Sequence, residues 1–332
     1  MSDANSPTLA LVLPCYNEEQ VLPITIDRLR GELQRLQDKG LVSSESLIVM
    51  VDDGSQDSTW SIIQQAEAQG WPVAGIKLSR NCGHQYALYA GLMEAPGDLL
   101  VSLDADLQDD VQVIEKMLEQ HDQGKEIVFG VREDRSTDGF FKRWSAQMHY
   151  RLLHLLGIET VANHADFRLM SRRAVEFLRE YREANLYLRG IVPLLGLETG
   201  VVGFARAERA AGASKYQLRH MLSLSLRGAT SFSIMPLRVV SVLGVIVFTV
   251  SLLMGGWALS AALFTEEVVP GWASTVIPIY LLGGLQLLGM GIVGEYIGKA
   301  YMEVKRRPLY QVDRVCGELE VNAKTGAAPG TK

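Results

Sequence analysis

Cysteine is scarce. Cys15, Cys82 and Cys316 stand alone, without the paired spacing of a disulfide framework or a zinc site, so the chain fits a reducing compartment. No G-x-G-x-x-G follows the first apolar run and no G-x-x-x-x-G-K-[ST] occurs, which argues against a dinucleotide fold and a P-loop. The first residues, MSDANSPT, lack the apolar core of a signal peptide. A formal net charge of −6 gives no support to a nucleic-acid partner. There is no internal repeat. Two stretches lack charge altogether: Val239–Leu263 and Val268–Gly294 hold no Asp, Glu, Lys or Arg.

Each uncharged stretch is about 25 residues long, and about 20 helical residues span a bilayer. Arg219, Arg227 and Arg238 precede the first; Lys299, Lys305, Arg306 and Arg307 follow the second. The segment between them carries Glu266 and Glu267 and no basic residue. The bias of basic residues predicts a two-helix hairpin whose outer ends face the cytoplasm. A pair of buried core helices is the alternative. Tyr216–Phe232, with Leu218, Met221, Leu222 and Leu226 on one side and Arg219 and Arg227 beside them, reads as an amphipathic helix lying in the headgroup layer. Phe141–Leu156 shows a similar pattern, equally consistent with packing on a sheet.

Residues 8–130 alternate strand-like and helix-like runs. Strands are expected at Leu9–Leu13, Leu47–Val51, Val73–Leu78, Leu99–Leu103 and Ile127–Val131. Helices are expected at Glu18–Leu36, Ser58–Ala68, Gln85–Met93 and Val111–His121, the last capped by Asp109 or Asp110. Such alternation predicts an α/β fold, a mostly parallel sheet covered on both faces by helices. Ligands of such sheets bind beyond the carboxyl ends of the strands. Two acidic clusters fall there: Val51-Asp52-Asp53-Gly54-Ser55 and Leu103-Asp104-Ala105-Asp106-Leu107-Gln108.

Asp104 and Asp106 are two residues apart, which in extended backbone puts both carboxylates on one side. Converging carboxylates repel unless a cation joins them. A hard divalent ion, Mg²⁺ or Mn²⁺, shared with substrate phosphates meets that need, and Gln108 adds an oxygen. Helix capping is the competing role for these acids. Asp53 can accept hydrogen bonds from a base or ribose; a plain turn is the alternative for its D-D-G-S segment.

These residues together resemble the family 2 glycosyltransferases, whose nucleotide-sugar domain has the GT-A fold. The likeness runs from about Leu9 to Arg307, closest to the polyprenyl-phosphate glycosyltransferases such as bactoprenol glucosyltransferase and dolichyl-phosphate mannose synthase. It is carried by six pieces in family order: Val12–Glu19, Val51–Ser55, Asn81–His84, Asp104–Gln108, Asp166–Met170 and Arg209–Tyr216. The resemblance implies a nucleotide pocket lined by Pro14, Tyr16, Glu18, Val51 and Asp53. It implies a metal held by Asp104, Asp106 and Gln108 against the donor's diphosphate, and phosphate contacts from Arg132, Arg209 and Lys215. Asp166 opens an apolar run, where an idle charge is costly. It is expected either to act as a general base, to orient the acceptor, or to pair with Arg168 or Arg172. His84 and His164 receive no role.

The expected protein is therefore an inverting, metal-dependent hexosyltransferase working from a nucleotide sugar, UDP-glucose by resemblance, to a polyprenyl phosphate. A cytoplasmic GT-A domain at 8–215, an interfacial helix at 216–235, a transmembrane hairpin at 236–300 and a partly disordered cytoplasmic tail at 301–332 are its expected parts. The expected location is the plasma membrane, with a homo-oligomer allowed by Gly255-Gly256 and Gly283-Gly284. A processive polysaccharide synthase would carry a Q-x-x-R-W motif and more spans; the motif is missing here. A non-catalytic scaffold or a lipid flippase would not need the paired acids.

Overall fold

A computed structural model of the chain describes residues 6–106, 108–132, 164–204, 272–317 and 319, with scattered positions between 237 and 253. Two compact units divide the chain: Met1–Arg151 with Glu159–Tyr216 and Arg307–Lys332, and Leu152–Ile158 with Gln217–Arg306.

The first unit is built on an eight-stranded sheet. Its strands are β1 (Leu9–Cys15), β2 (Leu47–Asp52), β3 (Val73–Leu78), β4 (Leu99–Ser102), β5 (Ile127–Arg132), β6 (His164–Ser171), β7 (Thr199–Phe204) and β8 (Val312–Cys316). Their order across the sheet is β7-β5-β6-β4-β1-β2-β3-β8. The pairs β1–β2, β1–β4, β2–β3 and β5–β7 are parallel, while β6 and β8 run the other way. The mostly parallel sheet expected from the alternation of runs is therefore present.

Helices α1 (Leu22–Asp38), α2 (Thr59–Ala68), α3 (His84–Glu94), α4 (Val113–Asp122), α5 (Arg172–Arg179) and α6 (Leu188–Ile191) follow or join these strands. The two sets of side chains on each central strand explain the layering. Leu9, Leu11 and Leu13 of β1, Ile48 and Met50 of β2 and Leu99 and Val101 of β4 share one core with apolar residues of α1, α2 and α4. The alternate residues Val12 and Val51 face α3, whose Gly91 leaves room for them. Both faces are dry, which is why these strands read as continuous apolar runs.

The register aligns the strand ends: Cys15 lies beside Asp52, and Asp52 beside Lys77. Val12 pairs with Ser102, and Ser102 with Arg168 of the antiparallel β6. The turns after β1, β2, β3 and β4 thus share one edge with the start of β6. Two expectations change here. The second acidic cluster sits past the end of β4 in a turn at Ala105-Asp106, so the extended-strand argument for Asp104 and Asp106 does not apply. And α4 begins at Val113 with no side-chain cap; Asp110 Oδ1 instead accepts the Gln112 N–H at 3.1 Å.

β8 comes from the segment expected to be a tail. It pairs antiparallel with β3 and is half polar, with Asp313, Arg314 and Val315 exposed. The Tyr310 hydroxyl just before it donates to Glu94 Oε1 at 2.7 Å.

In the second unit, α7 (Trp272–Lys305) is a 34-residue helix containing Pro278. A cavity of about 790 Å³ in this unit is lined by Val240, Val247, Leu282, Leu285, Gln286 and Ile297 among others. Among the described residues, which leave out the side chains of Ile277, Tyr280, Leu281 and Leu288, no helix is long and apolar enough to cross a membrane. The two expected transmembrane helices are therefore not part of the described fold; most of the first stretch lies outside the described residues.

Gly75 of β3 tests the packing of the sheet edge. A Cβ there would sit 2.6 Å from Ile63 Cγ2 and 2.8 Å from Cys316 Sγ. Gly75→Ala should cost about 1–3 kcal/mol, the usual range for overpacking, and lower the melting temperature by several degrees in calorimetry. An unchanged transition would show that α2 and β8 leave more space around β3 than described.

Candidate active site

The loops that follow β1, β2 and β3 are laced together by hydrogen bonds before any ligand is considered. Asn17 N–H donates to Ser55 Oγ at 3.0 Å, and Gln56 N–H returns one to Asn17 Oδ1 at 2.9 Å. Glu18 N–H donates to Thr59 Oγ1, Glu19 N–H to Asp57 Oδ2, and Ser58 N–H to Glu19 Oε2. Asp53 joins the third loop: its carboxylate accepts the N–H groups of Cys82 and Gly83 at 2.7 and 2.8 Å. Burial raises the Asp53 pKa, against the lowering effect of those two bonds. Gly54 must be glycine. Its φ is +69°, and a Cβ would lie 2.7 Å from the backbone of Arg80 and Asn81.

The predicted nucleotide residues gather along this edge. Pro14 pairs in register with Val51, both buried; Tyr16 is 44% exposed and Glu18 half-buried. Asp53 is nearly inaccessible, and both its oxygens serve the loop. Arg132 ends β5 at the same edge, beside Phe204, and its side chain lies outside the described residues. Arg209 and Lys215 lie outside them too.

The second cluster centres on Asp166. This carboxylate, 5% exposed, accepts Arg168 Nη2 at 2.7 Å and both Nε and Nη2 of Arg189 at 3.1 Å. Gln85 Nε2 and His84 Nε2 each lie 3.3 Å from Oδ2. Ser102 Oγ donates to the Asp166 carbonyl at 2.5 Å, fastening β6 to the end of β4. Of the partners considered for Asp166, Arg168 makes the ion pair. Arg172 is occupied with the carbonyls of Gly97 and Ala95. Burial alone would raise the Asp166 pKa, but the hydrogen bond from His84 and the charges of Arg189 and Arg168 hold it well below the ordinary carboxylate range. Asp166 is an ionised anchor.

Asp104 faces this cluster. His84 Nε2 lies 3.6 Å from Asp104 Oδ1, and Thr25 Oγ1 of α1 holds the next carbonyl, that of Ala105, at 2.8 Å. Burial raises the Asp104 pKa, and the nearby Asp166 and Asp106 add to the rise against the opposing charges of His84 and Arg189. Burial would lower the His84 pKa, yet Asp166 and Asp104 raise it overall. His84, Asp104 and Asp166 bring ligand atoms within 4.8 Å of one another, a spacing that suits a cation. Both Asp166 oxygens already serve guanidinium groups, so Asp104 is the acid with capacity to spare. Asp106 Oδ1 accepts the Gln108 N–H at 3.2 Å, and Gln108 is buried. The group brought together is thus His84, Asp104 and Asp166, while Asp106 and Gln108, expected to share the metal, follow Asp104 in the turn and are tied to each other.

His84, Gln85 and Arg189 were not legible as site residues. His84 stands 82 positions from Asp166 in the chain; its place at the start of α3, at the ligand-binding edge and at the end of the Asn81–His84 piece, is the signal that points to it. Arg189 has no local signature.

A sheet of this order, with acids and cations gathered at its carboxyl edge, defines a glycosyltransferase of the GT-A type. The chain matches the family described as Glycosyl transferase family 2 over residues 10–179, and it belongs to that family. It is 47% identical to an uncharacterized glycosyltransferase, YkoT, of Bacillus subtilis (strain 168), over 93% of this chain and 92% of the relative. It is 40% identical to the SfII prophage-derived bactoprenol glucosyl transferase of Shigella flexneri, over 92% and 97%. Among solved structures, the mannosyltransferase PcManGT from Pyrobaculum calidifontis in complex with GDP-Man and Mn²⁺ matches with a TM-score of 0.47 and 17% identity. That match covers 92% of this chain and 88% of the other.

Asp166→Asn should lower stability by about 3–5 kcal/mol, because it strips the counter-charge from a guanidinium that is 1% exposed. Denaturant unfolding of the variant reads this directly. A loss under about 1 kcal/mol would mean that Arg168 finds another anion.

Proposed function

We propose that the chain transfers a hexose from a nucleotide sugar, UDP-glucose as the best match, to a polyprenyl phosphate at the cytoplasmic face of the plasma membrane. The observation that carries this reading is the meeting of Asp104 and His84 with the Asp166–Arg189 pair at one strand edge. Acids that suit a cation and a guanidinium that suits phosphate stand side by side there. The name of the Shigella relative, 40% identical over nearly its whole length, supports the acceptor class.

In this reading Pro14, Tyr16, Glu18, Val51 and Asp53 shape the nucleotide pocket. Asp104, Asp106 and Gln108 hold Mg²⁺ or Mn²⁺, which when bound supplies charge neutralisation for the diphosphate. Arg132, Arg209 and Lys215 meet phosphates. An oxygen of the lipid phosphate forms the new bond to the anomeric carbon with inversion. The bond from that carbon to the diphosphate oxygen breaks, and its electron pair leaves with the nucleoside diphosphate. A phosphate monoester is largely dianionic near pH 7, its second pKa being about 6. It needs no strong base, which favours an orienting role for Asp166.

The membrane half of the reading rests on the uncharged stretches. Val239–Leu263 and Trp272–Gly294 contain no Asp, Glu, Lys or Arg, and a sequence stretch of about 20 uncharged, mostly apolar residues is the length that a bilayer-spanning segment needs. Ile279, Leu287, Met290 and Ile297 of α7 are each more than 60% exposed, an apolar surface that a bilayer would cover. A hairpin at 236–300, a headgroup-level helix at 216–235 and cytoplasmic segments at 8–215 and 301–332 follow from the placement of basic residues.

Two experiments test the two halves. Asp104→Asn should reduce polyprenyl-phosphate-dependent release of nucleoside diphosphate by at least about 100-fold, the scale of lost metal stabilisation, and EDTA should do the same to the unaltered chain. Full activity in EDTA would end the metal reading. For topology, Thr265→Cys in a chain with its own cysteines replaced should react with an impermeant thiol reagent on intact cells, and Lys332→Cys should not. The reverse pattern would invert the orientation.

A further inference from the structure

Asp166 and Arg189 meet in a two-point ion pair. Arg189 presents Nε and Nη2 to the two oxygens of one carboxylate, both at 3.1 Å. The backbone of the preceding residue, Leu188, is held from both sides by the same cluster. The Leu188 N–H donates to Gln85 Oε1 at 3.0 Å, and the Leu188 carbonyl accepts Arg168 Nη1 at 3.4 Å. The guanidinium therefore has one orientation before any ligand arrives.

Two guanidinium groups share this single carboxylate, and they differ in access. The Arg168 side chain is 1% exposed, whereas that of Arg189 is 39% exposed. The positive charge left over from pairing two cations with Asp166 thus reaches solvent at Arg189. Among the described residues, Arg189 Nη1 makes no hydrogen bond, so one nitrogen points away from the fork. Asp104 lies near enough for its charge to act on Arg189. A guanidinium pinned on one edge and bare on the other suits an anionic oxygen with several lone pairs, a phosphate above all. Little side-chain freedom is left to lose on binding.

We infer that Arg189 is a phosphate-binding residue of this site and that Asp166 is the positioning residue that aims it. The inference rests on the transfer reaction proposed above and deepens it. The phosphate belongs either to the donor's diphosphate or to the lipid acceptor, and the two sources share the chemistry of an anionic phosphate oxygen. In this arrangement Asp166 takes no proton, because its oxygens already accept from Arg168, Arg189, Gln85 and His84.

The test uses the full-length protein in detergent, with Arg189→Gln and the charge-retaining Arg189→Lys. Arg189→Gln should raise KM for one phosphate substrate by about 10-fold or more, the weight of a charged hydrogen bond, in a variant that still unfolds in one cooperative transition above the assay temperature. Arg189→Lys should recover part of the loss. A rise for polyprenyl phosphate assigns the acceptor; a rise for the nucleotide sugar, with weaker UDP binding in calorimetry, assigns the donor. Asp166→Asn should raise the same KM. The double variant Asp166→Asn with Arg189→Gln should lose no more than the larger single effect, since both act through one contact.

KM values and UDP affinity within about twofold of the parent protein would overturn the inference, as would fully additive effects in the double variant. A binding arm separates it from the reaction itself. If the unaltered chain turns over no nucleotide sugar, the reaction falls, and preference for UDP over uridine or for polyprenyl phosphate over polyprenol decides Arg189. Loss of either preference in the variants supports the role. Preferences equal to those of the parent refute it. Should Arg189→Gln fail to fold, the same comparison with Arg189→Lys decides.

Discussion

A single buried carboxylate organises the site. Asp166 gathers Arg168 from its own strand, Arg189 from α6, and His84 and Gln85 from the start of α3. A charge of this kind survives burial only when its lone pairs are filled and its sign is balanced. Both conditions are met, and meeting them draws three elements distant in the chain to one point. The position of that point follows from strand register: Ser102 lies beside Arg168, so Asp166 stands two residues past the end of β4, next to Asp104. The relation between anchor and acid is set by the sheet.

The other half of the edge is held mainly by hydrogen bonds between its loops, beside the Lys77–Asp52 pair at 3.8 Å. Backbone N–H groups of the first three loops are satisfied by side chains of these loops, with Asp53 and Asp57 each accepting two. Loops connected this way lose little freedom when a ligand arrives. The residues expected to touch the nucleotide therefore divide. Tyr16 is exposed and Glu18 half-buried, while Val51 and Asp53 are buried.

Much of the sheet was legible because its central strands are dry on both faces and show as unbroken apolar runs. β1, β2, β3 and β5 fall within two residues of their expected bounds. β8 was not legible. Val312–Cys316 is short and half polar, as edge strands are, and its pairing depends on β3, more than 230 residues earlier. In the site, Asp104 and Asp166 could be read because an acid beside an apolar run demands an explanation. His84 and Arg189 could not, since their roles come from partners 82 and 23 residues away. The geometry inferred for Asp104 and Asp106 failed for a local reason: the strand ends at Ser102, and a turn replaces the extended spacing.

β8 also imposes an order on synthesis. The chain completes seven strands by Phe204, then threads about a hundred residues of the second unit before Val312 emerges. Until then β3 is an open rim with unmet backbone groups, a template for strands of other nascent chains. The protein leaves the ribosome with its sheet unsealed, and the last strand to appear is the one that closes it.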